Sequence, residues 1–459
     1  MSENKNRFGA FTGVFTPSIL TILGVIMYMR LGWVVGNSGI FAAVGIILVA
    51  HIISLTTGLS ISSIATDKKI RTGGIYYILS RSLGLPMGGA IGIALFIGMS
   101  LSISLYIVGF TENFIGIETI RQFLGLETGL QAIRVVGTAT IGVLVLLAFI
   151  STSLALKTQN FVLTAIILSL VSIFLGFFTN TGLHPEQISL MPAARGVSLE
   201  VVFGVFFPAV TGFTAGVSMS GDLKDPVKAI PKGTMGAILV GLVVYLVLAV
   251  SFGFFVDREL LLTDNNFLMN VAFYSPLVIA GIWGATLSSA LGGILGAPRI
   301  LQAIAGDRLM PRFFKKGYGA GNEPRNALLL TFLIAEGGIL IGDLNVIARI
   351  VSMFYIAAYG FINLAYALEK WASSDFRPSF SLPQWVGVIG FIASFTVMFQ
   401  LDVLAMVIAL LIMFAIYFLL KRRELQGDFG DVWQSVWATL VRDSLHRINL
   451  KQVEQRHWK

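Results

Sequence analysis

The sequence lacks cysteine altogether and is poor in charge, with 12% charged residues among 459. The absence of cysteine excludes disulfides and thiolate metal sites, although it does not fix the cellular compartment. Soluble domains carry about 25% charged residues, so about half of the expected charge is missing. The sequence also has no H-E-x-x-H, P-loop or nucleophile-elbow motif. It therefore gives no support for an enzyme.

What the sequence has instead is long hydrophobic runs, and 56% of its residues are hydrophobic. Runs of about 20 apolar residues are long enough to cross roughly 30 Å of hydrocarbon as helices. The polar start leads directly into the first run, which is too long for the hydrophobic part of a signal peptide. We therefore predict an all-α polytopic membrane protein with twelve transmembrane helices, over residues 13–36, 39–63, 88–112, 133–153, 159–180, 200–219, 233–256, 270–305, 326–342, 345–368, 383–401 and 402–420.

The net charge of +8 is explained by the membrane, and we expect no nucleic-acid partner. With both termini in the cytoplasm, most basic loop residues face the cytoplasm, which is the positive-inside pattern. The cytoplasmic set comprises Lys68, Lys69, Arg71, Arg81, Lys224, Lys228, Lys232, Arg299, Arg308, Arg312, Lys315, Lys316 and Arg325. The opposite loops hold only Arg121, Arg134, Arg195 and Arg258. We expect a multi-pass protein of the plasma (cell inner) membrane with cytoplasmic N- and C-termini.

Two of the hydrophobic runs are interrupted, the first by Pro17 and Gly24 and the sixth by Pro208 and Gly212. A proline inside a membrane helix frees a carbonyl, and a nearby glycine lets the chain unwind. Freed carbonyls bind a desolvated cation, whereas N–H groups at the start of the following half-helix bind an anion. Such breaks in corresponding positions of two halves predict the solute site of a transporter.

The chain divides into a cytoplasmic N-terminus, residues 1–12, a transmembrane domain, 13–420, and a cytoplasmic amphipathic tail, 421–459. An interrupted helix opens each of two sets of five spans. Because five is odd, the second set lies inverted in the membrane. We interpret the tail as an interfacial helix on lipid headgroups or as a docking or dimerisation helix. Its apolar face comprises Trp433, Val436, Trp437, Leu440 and Leu445.

Seven segments of the transmembrane domain resemble the cation–chloride cotransporters, a branch of the amino acid–polyamine–organocation superfamily. In chain order they are ILGVIMYMRLGWVVG, TGLSISSIATDKKIRTGGIYYILSRSLG, LYIVGFTEN, FFPAVTGFTAGVSMSGDLKDPVKAIPKGT, ATLSSALGGILGAPRILQAI, KGYGAGNEPRNALLLTFLIA and LNVIARIVSMFYIAAYGFIN. Within the family, the sequence looks nearest to the sodium–potassium–chloride cotransporters. The resemblance implies the LeuT-type fold, a 5+5 inverted repeat in which helices 1 and 6 are broken.

The resemblance implies a potassium site made by both breaks, at Thr21, Ile22, Tyr106, Pro208 and Thr211. Carbonyl and hydroxyl oxygens suit K⁺, because they replace its hydration shell. Tyr106 lies inside an apolar run, and the alternative for it is the aromatic belt at the membrane interface. The family usually has asparagine where this chain has Thr21. That change keeps the backbone carbonyl but alters a side-chain bond that supports the break.

The resemblance also implies a sodium site at Leu20, Leu23, Ala285, Ser288 and Ser289. Two adjacent serines in a membrane helix otherwise serve helix packing or bond back to the preceding turn. The sodium-coupled members of the family have this serine pair, whereas the potassium–chloride members lack it. The pair therefore favours coupling to sodium.

Two chloride sites carry over from the family, and both use backbone N–H groups at the start of a half-helix. Half-helix dipoles and unpaired amides suffice for a monovalent anion, so no lysine or arginine is required. The first site comprises Gly24, Val25 and Ile26, and the second comprises Gly212, Phe213 and Thr214 with the hydroxyl of Tyr359.

Charged residues within the predicted spans are few, and four of them form two candidate pairs. Arg30 and Glu112 match a family pair that is expected to tie the first and third helices as an extracellular gate; unrelated snorkelling side chains are the alternative. Glu336 and Arg349 depart from the family pattern. Their similar depth on adjacent helices predicts a compensating ion pair. His51 is expected to be a packing residue rather than a ligand.

The resemblance therefore predicts secondary active, electroneutral cotransport of one Na⁺, one K⁺ and two Cl⁻ by alternating access. The alternatives are a K⁺–Cl⁻ cotransporter without Na⁺ coupling, an amino acid or polyamine permease on the same fold, and a uniporter or sensor that binds K⁺ and Cl⁻ without coupling. We expect no cofactor. The expected partners are the three transported ions and the lipid bilayer, and the resemblance also allows a homodimer.

Overall fold

The computed structural model describes most of the chain, and apart from two isolated bridges its regular elements are helices in the described part. The described residues are 8–67, 74–125, 127, 129–150, 152–179, 188–194, 196–218, 223–319, 322–373, 376–422 and 435–445. The all-helical prediction is confirmed. Some basic residues of the positive-inside pattern lie outside the described residues, namely Lys68, Lys69, Arg71 and Arg195. Trp433 of the tail also lies outside them.

Eight helices precede the second broken span. They are α1 (Thr16–Ile22), α2 (Val25–Met29), α3 (Leu31–Asp67), α4 (Gly74–Ser82), α5 (Leu85–Gly116), α6 (Glu118–Leu124), α7 (Leu130–Ile150) and α8 (Thr152–Thr179). A π-helical turn, Phe11–Phe15, leads into α1. The first broken span is therefore built from this turn, α1 and α2.

Ten further helices follow. They are α9 (Leu199–Phe206), α10 (Phe213–Ser218), α11 (Pro226–Phe255), α12 (Arg258–Thr263), α13 (Phe267–Val271), α14 (Ser275–Gly306), α15 (Arg325–Ile341), α16 (Leu344–Ala372), α17 (Trp385–Leu401) and α18 (Val403–Lys421). A 3₁₀ turn, Phe207–Val210, joins α9 to the break before α10. The second broken span is thus built from α9, this turn and α10.

Nine helical segments of the described chain are long and apolar enough to cross a membrane, and they correspond to nine of the predicted spans. The other predicted spans, 326–342, 383–401 and 402–420, correspond to the shorter helices α15, α17 and α18. With 17 residues, α15 is about 26 Å long, slightly less than the hydrocarbon thickness. Together these segments give the multi-pass helical fold that the hydrophobic runs predict.

Burial separates the central spans from the peripheral ones. The most apolar windows of Phe11–Met29 and Leu199–Ser218 are 78% and 83% buried, whereas that of Leu130–Phe149 is 28% buried. A helix that is hydrophobic on all sides is typical of the interior of a helical bundle, where other helices cover it. The two broken spans therefore lie at the centre of the bundle, where α5, α11, α14 and α16 pack around them.

α3 bends sharply at Gly39. The bend separates the end of the first predicted span from the start of the second. Gly39 has a φ of 68°, in the left-handed region that favours glycine. A Cβ atom at this position would lie 2.4 Å from the carbonyl oxygen of Met191. The Ile40 N–H also donates to the carbonyl of Ser189 at 2.8 Å. The bend is therefore fixed by the segment that precedes the second broken span.

Residues 435–445 form a helix of the tail that contacts the membrane domain. Val436 is buried, and the hydroxyl of Thr439 donates to the carbonyl of Ala372, at the end of α16, at 3.2 Å. Trp437 and Leu445, predicted on the same apolar face, are exposed. In this structure the tail helix packs against the membrane domain of its own chain through Val436 and Thr439. These two residues lie at one edge of the predicted apolar face.

We predict that Gly39→Ala destabilises the protein by at least about 1–2 kcal/mol, because alanine in a left-handed conformation is strained and its Cβ would meet Met191. The matched control is Gly45→Ala on the same helix, where no atom lies within 4 Å of the added Cβ. The control is expected to be neutral or to stabilise by up to about 1 kcal/mol. Thermal unfolding of both variants in detergent tests this, and equal shifts in Tm would contradict it.

Candidate ion-binding site

The first broken span unwinds between α1 and α2, at Leu23 and Gly24. The Leu23 N–H donates to the Ile19 carbonyl at 2.8 Å, which is the last bond of α1. Gly24 follows with a φ of −96° and a ψ of −146°, so the helix does not continue. Among the described residues, no backbone N–H bonds to the three carbonyls that a continued helix would use. These belong to Leu20, Thr21 and Ile22.

Side chains from two other helices bond to two of these freed carbonyls. The hydroxyl of Tyr245, on α11, donates to the Ile22 carbonyl at 2.6 Å. The hydroxyl of Ser289, on α14, lies 3.5 Å from the Leu20 carbonyl oxygen. All four residues are buried, so each contact offsets the cost of an unpaired polar group at membrane depth.

Thr21, where the chain departs from its family, uses its side chain within its own helix. Its hydroxyl donates to the carbonyl of Pro17 at 2.9 Å, one turn back. Within the described part of the chain, the Thr21 carbonyl itself receives no hydrogen bond. An uncapped carbonyl oxygen is therefore available at this point of the break.

The second broken span tightens into the 3₁₀ turn Phe207–Val210 and then stops at Thr211 and Gly212. The hydroxyl of Thr211 donates to the Pro208 carbonyl at 2.8 Å. The Thr211 carbonyl in turn accepts from the hydroxyl of Tyr359, on α16, at 3.0 Å. The predicted ligands Pro208, Thr211 and Tyr359 thus form one connected chain of hydrogen bonds.

The backbone N–H groups that are predicted to bind chloride differ in their hydrogen bonding. The N–H of Thr214 donates to the Thr211 carbonyl at 3.3 Å, so it serves the turn itself. The N–H groups of Gly212 and Phe213 make no backbone hydrogen bond with any described residue. The same holds at the start of α2 for the amides of Gly24, Val25 and Ile26.

The two breaks touch each other backbone to backbone. A Cβ atom at Gly212 would lie 2.6 Å from the Ile22 nitrogen and 2.8 Å from the Thr21 Cβ. One turn on, a Cβ at Gly216 would lie 2.5 Å from the carbonyl oxygen of Val14. Real Cβ atoms do not come this close to other atoms. The contact between the two breaks therefore requires glycine at both positions. The predicted ion ligands of both breaks are thereby brought into one buried region.

Tyr106 faces this region from α5. Gly109, one turn further along the same helix face, touches the start of α2, since a Cβ there would lie 2.0 Å from Cγ2 of Val25. Tyr106 is 8% exposed, and its hydroxyl has no hydrogen bond among the described residues. This position fits the predicted site and does not fit an interfacial belt, where the hydroxyl would reach the membrane surface.

The predicted sodium residues are only partly brought together. Ala285 and Ser289 are four residues apart, buried, and on one face of α14, which packs against α1. Ser288 is half-buried, and no described hydrogen bond joins it to α1. Of the two serines, Ser289 reaches the first break.

Arg30 and Glu112 are in contact at one end of the bundle. Arg30 Nη2 lies 2.9 Å from both carboxylate oxygens of Glu112. Arg30 Nε also donates to the side-chain oxygen of Asn345, on α16, at 2.6 Å. The pair therefore ties α2 to α5, as expected, and Asn345 extends the tie to α16, which the sequence did not indicate.

The expected ion pair between Glu336 and Arg349 is wrong for this structure. Glu336 accepts a hydrogen bond from the hydroxyl of Thr138, on α7, at 2.6 Å. Arg349 instead lies against Gly204 of α9. Similar depth on adjacent helices does not ensure contact, because the two side chains face different neighbours.

Tyr245 is the site residue that the sequence analysis missed. It sits in the middle of an apolar run, as Tyr106 does, but the resemblance assigns a role only to Tyr106. His51 packs beside it, with ring centroids 6.2 Å apart, and its Nδ1 lies 2.8 Å from the Ile47 carbonyl. His51 is thus a packing residue with a local hydrogen bond.

We predict that Tyr245→Phe destabilises the protein by about 1–3 kcal/mol in a solution without alkali-metal cations, because the buried Ile22 carbonyl loses its donor. Potassium or rubidium should restore part of this loss, since the cation takes up the freed oxygen. The matched control is Tyr28→Phe, which removes a buried hydroxyl bonded to Ser169 at 3.1 Å. Thermal unfolding in potassium and in choline chloride tests this. An equal increase in Tm by potassium in both variants would contradict this prediction.

Comparisons with known proteins show the family and the fold of this chain. Residues 13–458 match the sequence model of the amino acid permease family. The chain is 34% identical to solute carrier family 12 member 2 of Mus musculus, over 99% of this chain and 42% of that protein. It is 33% identical to solute carrier family 12 member 1 of Homo sapiens, over 95% of this chain and 45% of that protein. The chain thus spans less than half the length of these relatives.

A solved structure of Mhp1 has a similar fold. This protein is a nucleobase–cation–symport-1 family transporter, seen in a closed conformation with bromovinylhydantoin bound. The TM-score is 0.51 at 13% identity, over 94% of this chain and 98% of that one. At this identity the likeness shows the fold alone, which is the LeuT-type fold that the resemblance implies. The chain belongs to the amino acid permease family, in the branch of cation–chloride cotransporters that its motifs resemble.

Proposed function

We propose that this protein is a secondary active transporter that carries Na⁺, K⁺ and Cl⁻ together by alternating access. One observation carries the proposal. The two breaks meet at Gly212, where uncapped carbonyl oxygens and unbonded amides lie within one buried region. Such a region offers ligands to ions of both signs at the same time.

The potassium ion is assigned to the region between the two breaks and α5. The Thr21 carbonyl is uncapped, and the Ile22 carbonyl is oriented by Tyr245. Tyr106 contributes a hydroxyl without a described partner. Pro208 and Thr211 complete the proposed ligand set from the second break, and carbonyl and hydroxyl oxygens of this kind replace the hydration shell of K⁺.

The chloride ions are assigned to the amides that begin the second half of each broken span. The amides of Gly24 to Ile26 serve one ion and those of Gly212 and Phe213 serve the other. Neither break contains an acidic residue, so the cation charge is offset by these anions. Two chlorides with one sodium and one potassium, the stoichiometry that the resemblance implies, would give a cycle without net charge, and we therefore propose electroneutral transport.

Sodium coupling rests on Ser289. Its hydroxyl already approaches the Leu20 carbonyl at 3.5 Å, and a Na⁺ ion between them would gain two oxygen ligands. Leu23, Ala285 and Ser288 complete the proposed set. A K⁺–Cl⁻ cotransporter is the second candidate, because Ser288 does not reach α1 in the described structure.

We assign the termini to the cytoplasm and the contact of Arg30 with Glu112 and Asn345 to the outer side of the plasma membrane. In this orientation, the three residues tie α2, α5 and α16 across the outer access route. They are the proposed extracellular gate, which has to open for ions to enter from outside.

Uptake into proteoliposomes tests the proposal. Labelled sodium and rubidium, as a potassium surrogate, are each offered with chloride and with gluconate. We expect uptake of both cations to require chloride and to require each other. Chloride-independent uptake would defeat cotransport, and chloride-dependent rubidium uptake that ignores sodium would leave a K⁺–Cl⁻ carrier. Uptake of a labelled amino acid instead would favour a permease.

Membrane potential tests electroneutrality in the same vesicles. A proton diffusion potential, set by a pH gradient and a protonophore, changes the voltage without using a transported ion. Chloride-dependent sodium uptake should not change with this potential. A clear dependence on the potential would mean that the cycle moves net charge.

We predict that Ser289→Ala raises the sodium KM by about tenfold or more, because the ion loses a ligand, while the rubidium KM changes little. The matched control is Ser251→Ala on α11, where the hydroxyl only bonds back to the Val247 carbonyl at 2.8 Å. Uptake kinetics of both variants provide the measurement. Equal effects on the sodium and rubidium KM would remove the sodium assignment.

A further inference from the structure

Arg349 is a charge in the membrane domain that the candidate ion-binding site does not use. It lies on α16 and is exposed, and no hydrogen bond or ion pair to it occurs among the described residues. An arginine within a membrane-spanning helix is costly unless it is paired or reaches the interface. Its sequence-predicted partner, Glu336, is bonded elsewhere. Arg349 is therefore free to bind a group at the membrane interface, since the described chain supplies no partner for it.

An apolar groove of about 400 Å³ opens beside Arg349. Its walls come from α5, α16 and α18, and the start of α9 lies at one end. Glu200, Arg349 and Asp402 are the polar residues of its lining, and the other lining residues are apolar. Pockets that hold small molecules measure about 300–1,000 Å³, so the groove is large enough for a ligand.

The groove runs from a charged rim into the membrane. Arg349 and Ala357, both in its wall, are eight residues apart on α16, or about 12 Å along the helix. Ile408 and Ile416 line it over the same length on α18. A helical side chain points toward the start of its helix. The guanidinium of Arg349 is therefore directed toward the surface at which α16 begins.

Charges of both signs meet at this rim. Gly204, one turn after Glu200 on α9, touches the stem of Arg349, because a Cβ there would lie 3.1 Å from the Arg349 Cγ. Glu200 is exposed and lies in the first turn of α9. Asp402 also lines the rim and has a polar interaction of its own. The rim thus carries the guanidinium of Arg349 and the carboxylate of Glu200.

A phospholipid satisfies both parts of this surface. An acyl chain gains little by moving from the bilayer to an apolar groove, because lipid tails are as apolar as leucine. Selective binding must therefore come from the headgroup at the rim. Arginine binds phosphate through two parallel hydrogen bonds, and a carboxylate accepts hydrogen bonds from a primary ammonium.

We propose that this groove binds one phospholipid with a zwitterionic headgroup that carries a primary ammonium, as in phosphatidylethanolamine. The phosphate binds Arg349, the ammonium binds Glu200, and one acyl chain lies between α5, α16 and α18. The site is independent of the ion-binding region, so the transport proposal and this one stand or fall separately.

Native mass spectrometry of the full chain in mild detergent tests the lipid site. The protein is titrated with phosphatidylethanolamine and with diacylglycerol of the same acyl chains. We expect one phosphatidylethanolamine to bind about tenfold more tightly than diacylglycerol, since only the former offers a phosphate to Arg349. Arg349→Gln should remove this preference. An unchanged preference in that variant would overturn the proposal.

Two variants of α18 test the groove itself. Ala409→Phe fills the groove and should weaken both lipids by about tenfold, whereas Ala415→Phe, at an exposed position outside the lining, should weaken neither. Ile412→Trp replaces the first variant if thermal unfolding shows that it does not fold. Equal lipid binding by groove and control variants would overturn the assignment of the acyl chain.

Three further results would also overturn the proposal. Phosphatidylglycerol that binds as tightly as phosphatidylethanolamine would remove the role of Glu200, because its headgroup has no ammonium. A dimer that forms without lipid and excludes phosphatidylethanolamine would assign the groove to a second copy of the chain. Glycerophosphoethanolamine, which has the headgroup without acyl chains, should not compete, and competition by it would remove the role of the groove.

Discussion

The backbone contact between the two broken spans at Gly212 is the constraint on which the rest of the structure depends. A Cβ at this position would collide with Ile22 and Thr21, so only glycine lets the two breaks meet. Once they meet, carbonyl oxygens and amides of both spans occupy one place. Two separate unwound helices would offer these ligands in two places. Their contact gives one region with candidate ligands for cations and for anions.

Irregular backbone at membrane depth is tolerated only where protein covers it, and the surrounding helices meet this demand with specific side chains. Tyr245 bonds to the Ile22 carbonyl, Tyr359 to the Thr211 carbonyl, and Ser54 to the Val210 carbonyl at 2.9 Å. Each donor comes from a different helix, namely α11, α16 and α3. The breaks are therefore held from three sides, and movement of any of these helices changes the orientation of a carbonyl at the site.

The spans, the two breaks and the contact of Arg30 with Glu112 followed from local pattern or family motif, because proline, glycine and rare charges stand out in apolar runs. Tyr245 did not, since its partner is 223 residues away and an apolar run has no polar face to show which side is central. The Glu336 and Arg349 pairing failed for the same reason. Distance from a hairpin gives depth in the membrane, but rotation about the helix axis decides contact, and an evenly apolar helix does not reveal it.

Thr21 shows how the chain supports its first break without the asparagine that the family usually has there. A threonine hydroxyl in a helix bonds readily to the carbonyl one turn back, and Thr21 does so with Pro17 at 2.9 Å. Its side chain therefore gives the break no support across the gap. That support comes instead from Tyr245 and Ser289, each of which contacts one of the two neighbouring carbonyls. The carbonyl of Thr21 is left between these two bonded groups, fixed in position by its neighbours and free to accept a cation.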